Sequence, residues 1–220
     1  MHHYFIESNV ERHEDVLSVR HTLVAGGFMG CIGIMVFAIT LVVMATPSTQ
    51  NDSKYISEGM EAHCGWSVVM LGTCSFMIGV CQVVAASHMN HHVAILFAIT
   101  QLLGWNVVLG IVDTGWNVHY VGLCVFLMSN IGYHWIAAND INYGTPKYRV
   151  LNWITIFFTF VFGGANIATK SANQDYFREI KACAVGLEFF LTFLSMLQNM
   201  FLIHGLDRFQ SIRLVFERRD

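Results

Sequence analysis

Ala182–His204 reads ACAVGLEFFLTFLSMLQNMFLIH, twenty-three residues in which Glu188 is the one charged side chain. A hydrocarbon layer about 30 Å thick takes about 20 apolar residues at about 1.5 Å of rise each. The stretch is therefore predicted to cross a bilayer, and to do so as a helix, because there the backbone must bond to itself. Five stretches of the same kind precede it: Leu23–Ala45, Trp66–Ala86, Val93–Val112, Val118–Ala138 and Val150–Thr169. The expected fold is all-α, an integral membrane bundle of six transmembrane helices. It occupies 22–204 as one domain, with an N-terminal segment at 1–21 and a tail at 205–220.

Composition agrees. Only 12% of the 220 residues are charged and 55% are hydrophobic, whereas a soluble domain carries about 25% charge. Both prolines, Pro47 and Pro146, fall in expected loops, so proline kinks do not shape the spans. The net charge of −3 argues against a nucleic-acid partner. The first twenty residues are polar and acidic and lack a signal-peptide h-region, so the first span is expected to insert as an uncleaved anchor. Cys31, Cys74, Cys81 and Cys124 fall inside spans and read as small packing residues. Cys64 and Cys183 lie at the same expected interface, where a disulfide is one outcome that sequence leaves open.

Charge sets the expected orientation. The N-terminus, the loops after spans two and four and the tail hold Arg12, Arg20, Lys147, Arg149, Arg208, Arg213, Arg218 and Arg219; the other loops hold Lys54, Lys170, Arg178 and Lys181. The basic excess places both termini in the cytoplasm. The sequon Asn51-Asp52-Ser53 then lies on the luminal or external side, where Asn51 is a glycosylation candidate.

Lipid tails are as apolar as leucine, so spans associate through close packing and polar contacts. Gly26, Gly30 and Gly33 share a face of span one, and Gly72, Ser75 and Gly79 a face of span two; both predict close helix crossings. Polar stripes run along Asn152, Thr155, Thr159, Gly163 and Asn166 in span five and along Glu188, Thr192, Ser195 and Asn199 in span six, while Asn130 and His134 sit one turn apart in span four. Two readings fit these stripes: interhelical hydrogen bonding, or a polar cavity for a lipid headgroup or small solute. Glu188 is the one acid well inside a span. An intramembrane acid marks a functional site by default, although an acid that only locks helices is the competing reading. His119, at the start of span four, and a water are its candidate partners.

Several short motifs carry a resemblance. The run from Asp175, DYFREIKACAVGLEFFLTFLSMLQNMFLIHGLDRFQSIRL, places Glu188 early in the last span and Phe209-Gln210-Ser211 after it. Tyr55-Ile56-Ser57-Glu58 lies in the first loop, and His119 stands in Asn117-Val118-His119-Tyr120-Val121-Gly122. In their order and placement these resemble the damage-regulated autophagy modulator (DRAM) family of the Frag/DRAM/Sfk superfamily. The chain departs from that family at Gly59-Met60-Glu61, where prolines are usual, and at Asp113-Thr114-Gly115, where Asn-Phe-Gln is usual. Leu187-Glu188-Phe189 and Asn199-Met200 are also similar to the GPI-anchor-remodelling branch.

Other chemistry finds little footing. His88, His91 and His92 cluster in one short turn and read as an interfacial connection rather than a zinc site, so no metal is expected. Trp66, Trp105, Trp116, Trp135 and Trp153 sit mostly toward span ends, as an aromatic belt does. No GxSxG, HExxH, P-loop or Rossmann fingerprint appears in a matching context, no span contains the lysine an opsin needs, and no cofactor is implied. The basic tail reads as a topology-setting flank, with contact to anionic lipid as the alternative.

The resemblance implies a non-enzymatic regulator of autophagy and of lysosomal membrane or lipid organisation. It implies residence in the lysosome or another endomembrane, with the plasma membrane as the alternative. The expected partners are membrane lipids and another membrane protein. Two alternatives remain open: a GPI-anchor lipid-remodelling enzyme with Glu188 and His119 as acid and base, and a transporter or channel subunit.

Overall fold

The computed structural model describes residues 21–40, 43, 55, 56, 58, 64–89, 91–109, 111–171 and 174–207, and these contain six helices and no strand. They are α1 (His21–Thr40), α2 (Cys64–His88), α3 (His92–Leu109), α4 (Ile111–Asn139), α5 (Pro146–Ser171) and α6 (Gln174–Asp207). Five are long and apolar enough to cross a membrane, and α3 is a shorter apolar helix. The chain is a multi-pass helical membrane protein. Its outward faces are apolar, with Met29, Phe76, Leu96, Phe157, Phe160 and Ile167 among the exposed side chains. That surface suits an acyl-chain solvent and would be costly in water.

The sequence placed a loop at 113–117, between spans three and four. Helix α4 instead begins at Ile111, and α3 stops at Leu109. Residues 113–117 thus fall inside α4 rather than in a loop. Helix α6 also begins two turns earlier than its apolar stretch. Polar residues such as Arg178 and Lys181 extend a helix readily at the edge of the hydrocarbon, where only the apolar stretch is confined to it.

At the turn joining α4 to α5, Thr145 Oγ1 accepts the backbone N–H of Tyr148 at 3.2 Å. Pro146 occupies the first helical position, where a missing N–H costs nothing. Arg149 Nε donates to the Ala138 carbonyl at 3.0 Å, satisfying one of the carbonyls left open at the end of α4. Gly144 is required here, because a Cβ would strike the carbonyl oxygens of Ala138 and Asp140.

Two crossings set the helix positions. Along α1, a Cβ at Gly27 would lie 2.6 Å from Cys81 Sγ, one at Gly30 would lie 2.8 Å from the Cys74 carbonyl, and one at Gly33 would lie 2.5 Å from Cys74 Sγ. The contact face is thus Gly27–Gly30–Gly33, not the expected Gly26–Gly30–Gly33; Gly26 has nothing within 4 Å. The sequence did not single out the second crossing. A Cβ at Gly104 of α3 would meet Phe126 N of α4 at 2.7 Å, and one at Gly122 would meet Val107 at 2.6 Å. Backbones this close make α3 and α4 the most extensively paired helices among α2 to α6. Helix α6 packs on α5 and also reaches α2 and α4, which brings its polar face inside the bundle.

Candidate functional site

Five helices are tied together by carboxamides in their buried faces. Gln82 Nε2 donates to Asn199 Oδ1 at 2.8 Å and to Gln101 Oε1 at 3.3 Å. Gln101 Nε2 donates to Asn130 Oδ1 at 3.0 Å, and Asn130 Nδ2 to Gln198 Oε1 at 3.4 Å. Gln198 Nε2 donates to Asn152 Oδ1 at 2.9 Å. Gln198 and Asn199 are neighbours on α6, turned about 100° apart by helical geometry, so one faces α4 and α5 while the other faces α2. The bonds therefore close a ring through α2, α3, α4 and α6, with α5 joined at Asn152. An amide both donates and accepts, so such a ring leaves little polar capacity unspent in a medium without water.

Above this ring lies a cavity of about 90 Å³. Its inner end is Gln82, Gln101 and Asn199, and its outer end carries Glu188, His119 and Ile56. From Glu188 to Asn199 the wall of α6 rises eleven residues, about 16 Å at about 1.5 Å each. Most of the remaining lining is apolar, including Leu102, Leu123, Phe126, Phe162 and Leu191. Two polar atoms of the lining residues, Ser75 Oγ and Trp105 Nε1, are buried without a hydrogen-bond partner among the described residues.

The outer end is covered by residues of the first inter-span loop. The backbone N–H of Ile56 donates to Glu188 Oε2 at 2.7 Å. That of Tyr55 donates to Glu58 Oε2 at 2.8 Å, and Lys181 Nζ reaches Glu58 Oε1 at 2.9 Å. The Lys181 ammonium also lies 5.6 Å from the centre of the Tyr55 ring, within cation–π range. Burial, with the charges of Glu188 and Glu58 adding to it, raises the Tyr55 phenol above its ordinary value. The buried side chain of Ile56 lines the cavity beside Glu188.

The residues singled out from sequence divide into three groups. Glu188, Thr192, Ser195, Asn199 and His119 all line the cavity. Asn130 and Asn152 belong to the amide ring and its branch. His134 and Asn166 belong to neither: His134 Nδ1 meets the Tyr148 hydroxyl at 2.5 Å, and Asn166 Nδ2 bonds the Phe162 carbonyl of its own helix at 3.0 Å. Of the candidate partners for Glu188, His119 shares its cavity and places Nδ1 3.3 Å from the Val108 carbonyl. The Ile56 amide, which the sequence did not suggest, is the partner whose geometry is clear.

Among the described residues, the stripe threonines donate within their own helices. Thr155, Thr159 and Thr192 bond the carbonyls four residues back at 2.8–2.9 Å, a bond within reach of any helical threonine. Gly163 at the middle of the span-five stripe is exposed, with nothing within 4 Å. Cys183 is an exposed free thiol, and the Cys64 side chain, its candidate disulfide partner, lies outside the described residues. Asn51 and the tail arginines also lie outside them.

Gln82, Gln101, Gln198 and Trp105 were missed. A carboxamide inside an apolar span was the available signal in three of the four, since such groups rarely face lipid. Gln82 extends the Gly72–Ser75–Gly79 face of its span by three residues. No known family model, curated protein or solved structure matches the chain.

Proposed function

We propose that this chain is a non-enzymatic endomembrane regulator that organises membrane lipid, acting in the lysosome or a related compartment as the DRAM-like motifs imply. The observation that supports this reading is the cavity, walled by apolar side chains, polar at its inner end and lined at its outer end by Ile56 and Glu188. An interior of this kind suits a short segment of an acyl chain, with the amide ring as a rigid floor. In the orientation given by the basic loops, the Ile56–Glu188 end faces the lumen.

The test is deletion with rescue. Loss of the protein should change autophagic flux or the distribution of lipid in the host membrane. The wild-type chain should restore both, and Asn199→Leu, which removes the floor of the cavity, should not. Unchanged flux and unchanged lipid distribution on deletion would sink the reading.

One observation favours a second reading. Glu188 and His119 line the same cavity, as an acid/base pair for GPI-anchor lipid remodelling would require. That reading predicts altered GPI lipid chains in the deletion strain and in Glu188→Gln alike, a change the regulator reading does not produce.

A further inference from the structure

We propose that α4 and α5, where they meet at the Gly144 turn, form a surface site for an anionic glycerophospholipid. Arg149 and Lys147 receive its phosphate, and its ester and upper acyl region rest on the Trp135–Trp153 pair. None of these residues lines the cavity, and the site does not depend on the function read from it. In the orientation given by the basic loops the turn is cytoplasmic, on the leaflet that carries anionic lipid.

Charge is the first observation. Lys147 and Arg149 are exposed in the first turn of α5, and neither is in an ion pair among the described residues. Helix stability does not require them there, because the dipole disfavours cations in a first turn and no acid accompanies them in it. Asp140, the acid of the adjoining turn, has Oδ1 engaged by the backbone N–H of Asn142 at 2.8 Å. A zwitterionic lipid would bring no net charge to the two cations.

The second is the setting of the guanidinium. Arg149 Nε donates to the Ala138 carbonyl at 3.0 Å, across the turn from α5 to the end of α4. The N–H bonds of its two Nη groups remain without a partner among the described residues. A guanidinium presents them as a planar fork that matches a phosphate. One bond already holds the side chain, so less freedom is lost when a phosphate arrives.

The third is the surface beneath. Trp135 of α4 and Trp153 of α5 meet edge to face, 5.1 Å between centroids, and are 44% and 59% exposed. Trp153 stands one turn, about 6 Å, deeper along α5 than Arg149. Phe157, one turn deeper again, and Met128 of α4 are exposed as well. Cation, indole and hydrocarbon therefore follow one another inward, in the order of the phosphate, ester and acyl chain of a phospholipid. An acidic protein partner would match the cations but would leave the indoles and Phe157 at the depth of the acyl chains.

The full-length protein would be placed in nanodiscs containing photoreactive phosphatidylserine or photoreactive phosphatidylcholine with the same acyl chains, and the crosslinked peptides mapped. Phosphatidylserine should label 128–157 about tenfold or more over phosphatidylcholine. Lys147→Gln and Arg149→Gln should each cut that excess about fivefold, the worth of one well-placed cation near anionic lipid. Molar salt should cut it in the wild type. Because Arg149→Gln also removes the bond to Ala138, Lys147→Gln and the salt response are the readings that leave the turn intact.

Equal labelling of 128–157 by the two lipids would overturn the proposal. So would a phosphatidylserine excess indifferent to both substitutions and to salt, or one centred on peptides of α2, α3 or α6. Each of these results would leave the cavity and the function proposed from it standing.

Discussion

Ile56 and Glu188 lie 132 positions apart and meet at 2.7 Å, the backbone N–H of one donating to the carboxylate of the other. The acid that stands out in the last span is therefore occupied in holding a loop residue over the interior. A hydrogen bond to a charged group is worth about 1.5–3 kcal/mol. Glu188→Leu should raise hydrogen exchange at the Ile56 amide about ten- to hundredfold, and Glu188→Gln, which keeps an acceptor oxygen, should raise it less. Equal exchange in wild type and Glu188→Leu would show that the tether carries no weight.

The Glu58–Lys181 pair adds a weaker hold. Both side chains are partly exposed, at 25% and 18%, and pairs of this kind contribute about 0–1 kcal/mol and weaken with salt. Lys181→Ala should loosen the Tyr55–Glu58 segment modestly at low ionic strength and hardly at all in molar salt. A loss that persists undiminished in high salt would point to packing of the lysine stem instead.

Alkaline pH should loosen the same segment. Burial raises the Tyr55 phenol above its ordinary value of 10.0, so the folded form keeps its proton where the detached form would lose it. The contribution is fully present below pH 10 and is lost as pH rises through the raised folded value. Exchange in this segment should increase across that window, and Tyr55→Phe should remove the tyrosine-linked part of the increase. A pH profile identical in the two proteins would assign the loosening to another group.

Gln82 is the branching donor of the amide ring, bonded to both Asn199 and Gln101. Gln82→Leu should lower thermal stability in detergent by about 1–3 kcal/mol, since it leaves two buried acceptors short of a donor. Combining it with Asn199→Leu should cost less than the sum of the two single changes, because they remove one shared bond. Strict additivity would mean that the bond is not a coupled one.

The α3–α4 crossing admits no side chain at Gly104, where a Cβ would lie 2.7 Å from Phe126 N. Gly104→Val should destabilise by about 1–3 kcal/mol through overpacking. Gly163→Ala, in open space on α5, should be neutral or stabilising by up to about 1 kcal/mol from helix propensity. Thermal melts of the two variants in one detergent make the comparison, and similar losses would discount the crossing.

Much of the helix count was legible because hydropathy is a property of contiguous residues. The boundaries were less so: 113–117 looked like a loop by polarity, yet it lies inside α4. The polar faces were half legible. Glu188, Thr192, Ser195 and Asn199 recur at helical spacing and line one wall of the cavity. Gln82 continues the Gly72–Ser75–Gly79 face, yet its role and that of Gln101 appear only when other helices bring Asn199 and Asn130 to them. Glycines misled by one position, Gly26 in place of Gly27, because a repeat of three or four residues fits neighbouring faces almost equally well.

The sequence by itself determined that the chain is an apolar helical bundle with a few buried polar groups, since the length of each apolar run and the cost of unpaired backbone in lipid leave little else. The tertiary structure alone decided which amides pair, that Glu188 holds Ile56, and that Glu188, His119 and Gln82 line one cavity. Those outcomes depend on how each helix is rotated and which neighbour it meets. Rotation and partner choice are set by contacts between residues far apart in the chain, and no local pattern encodes them.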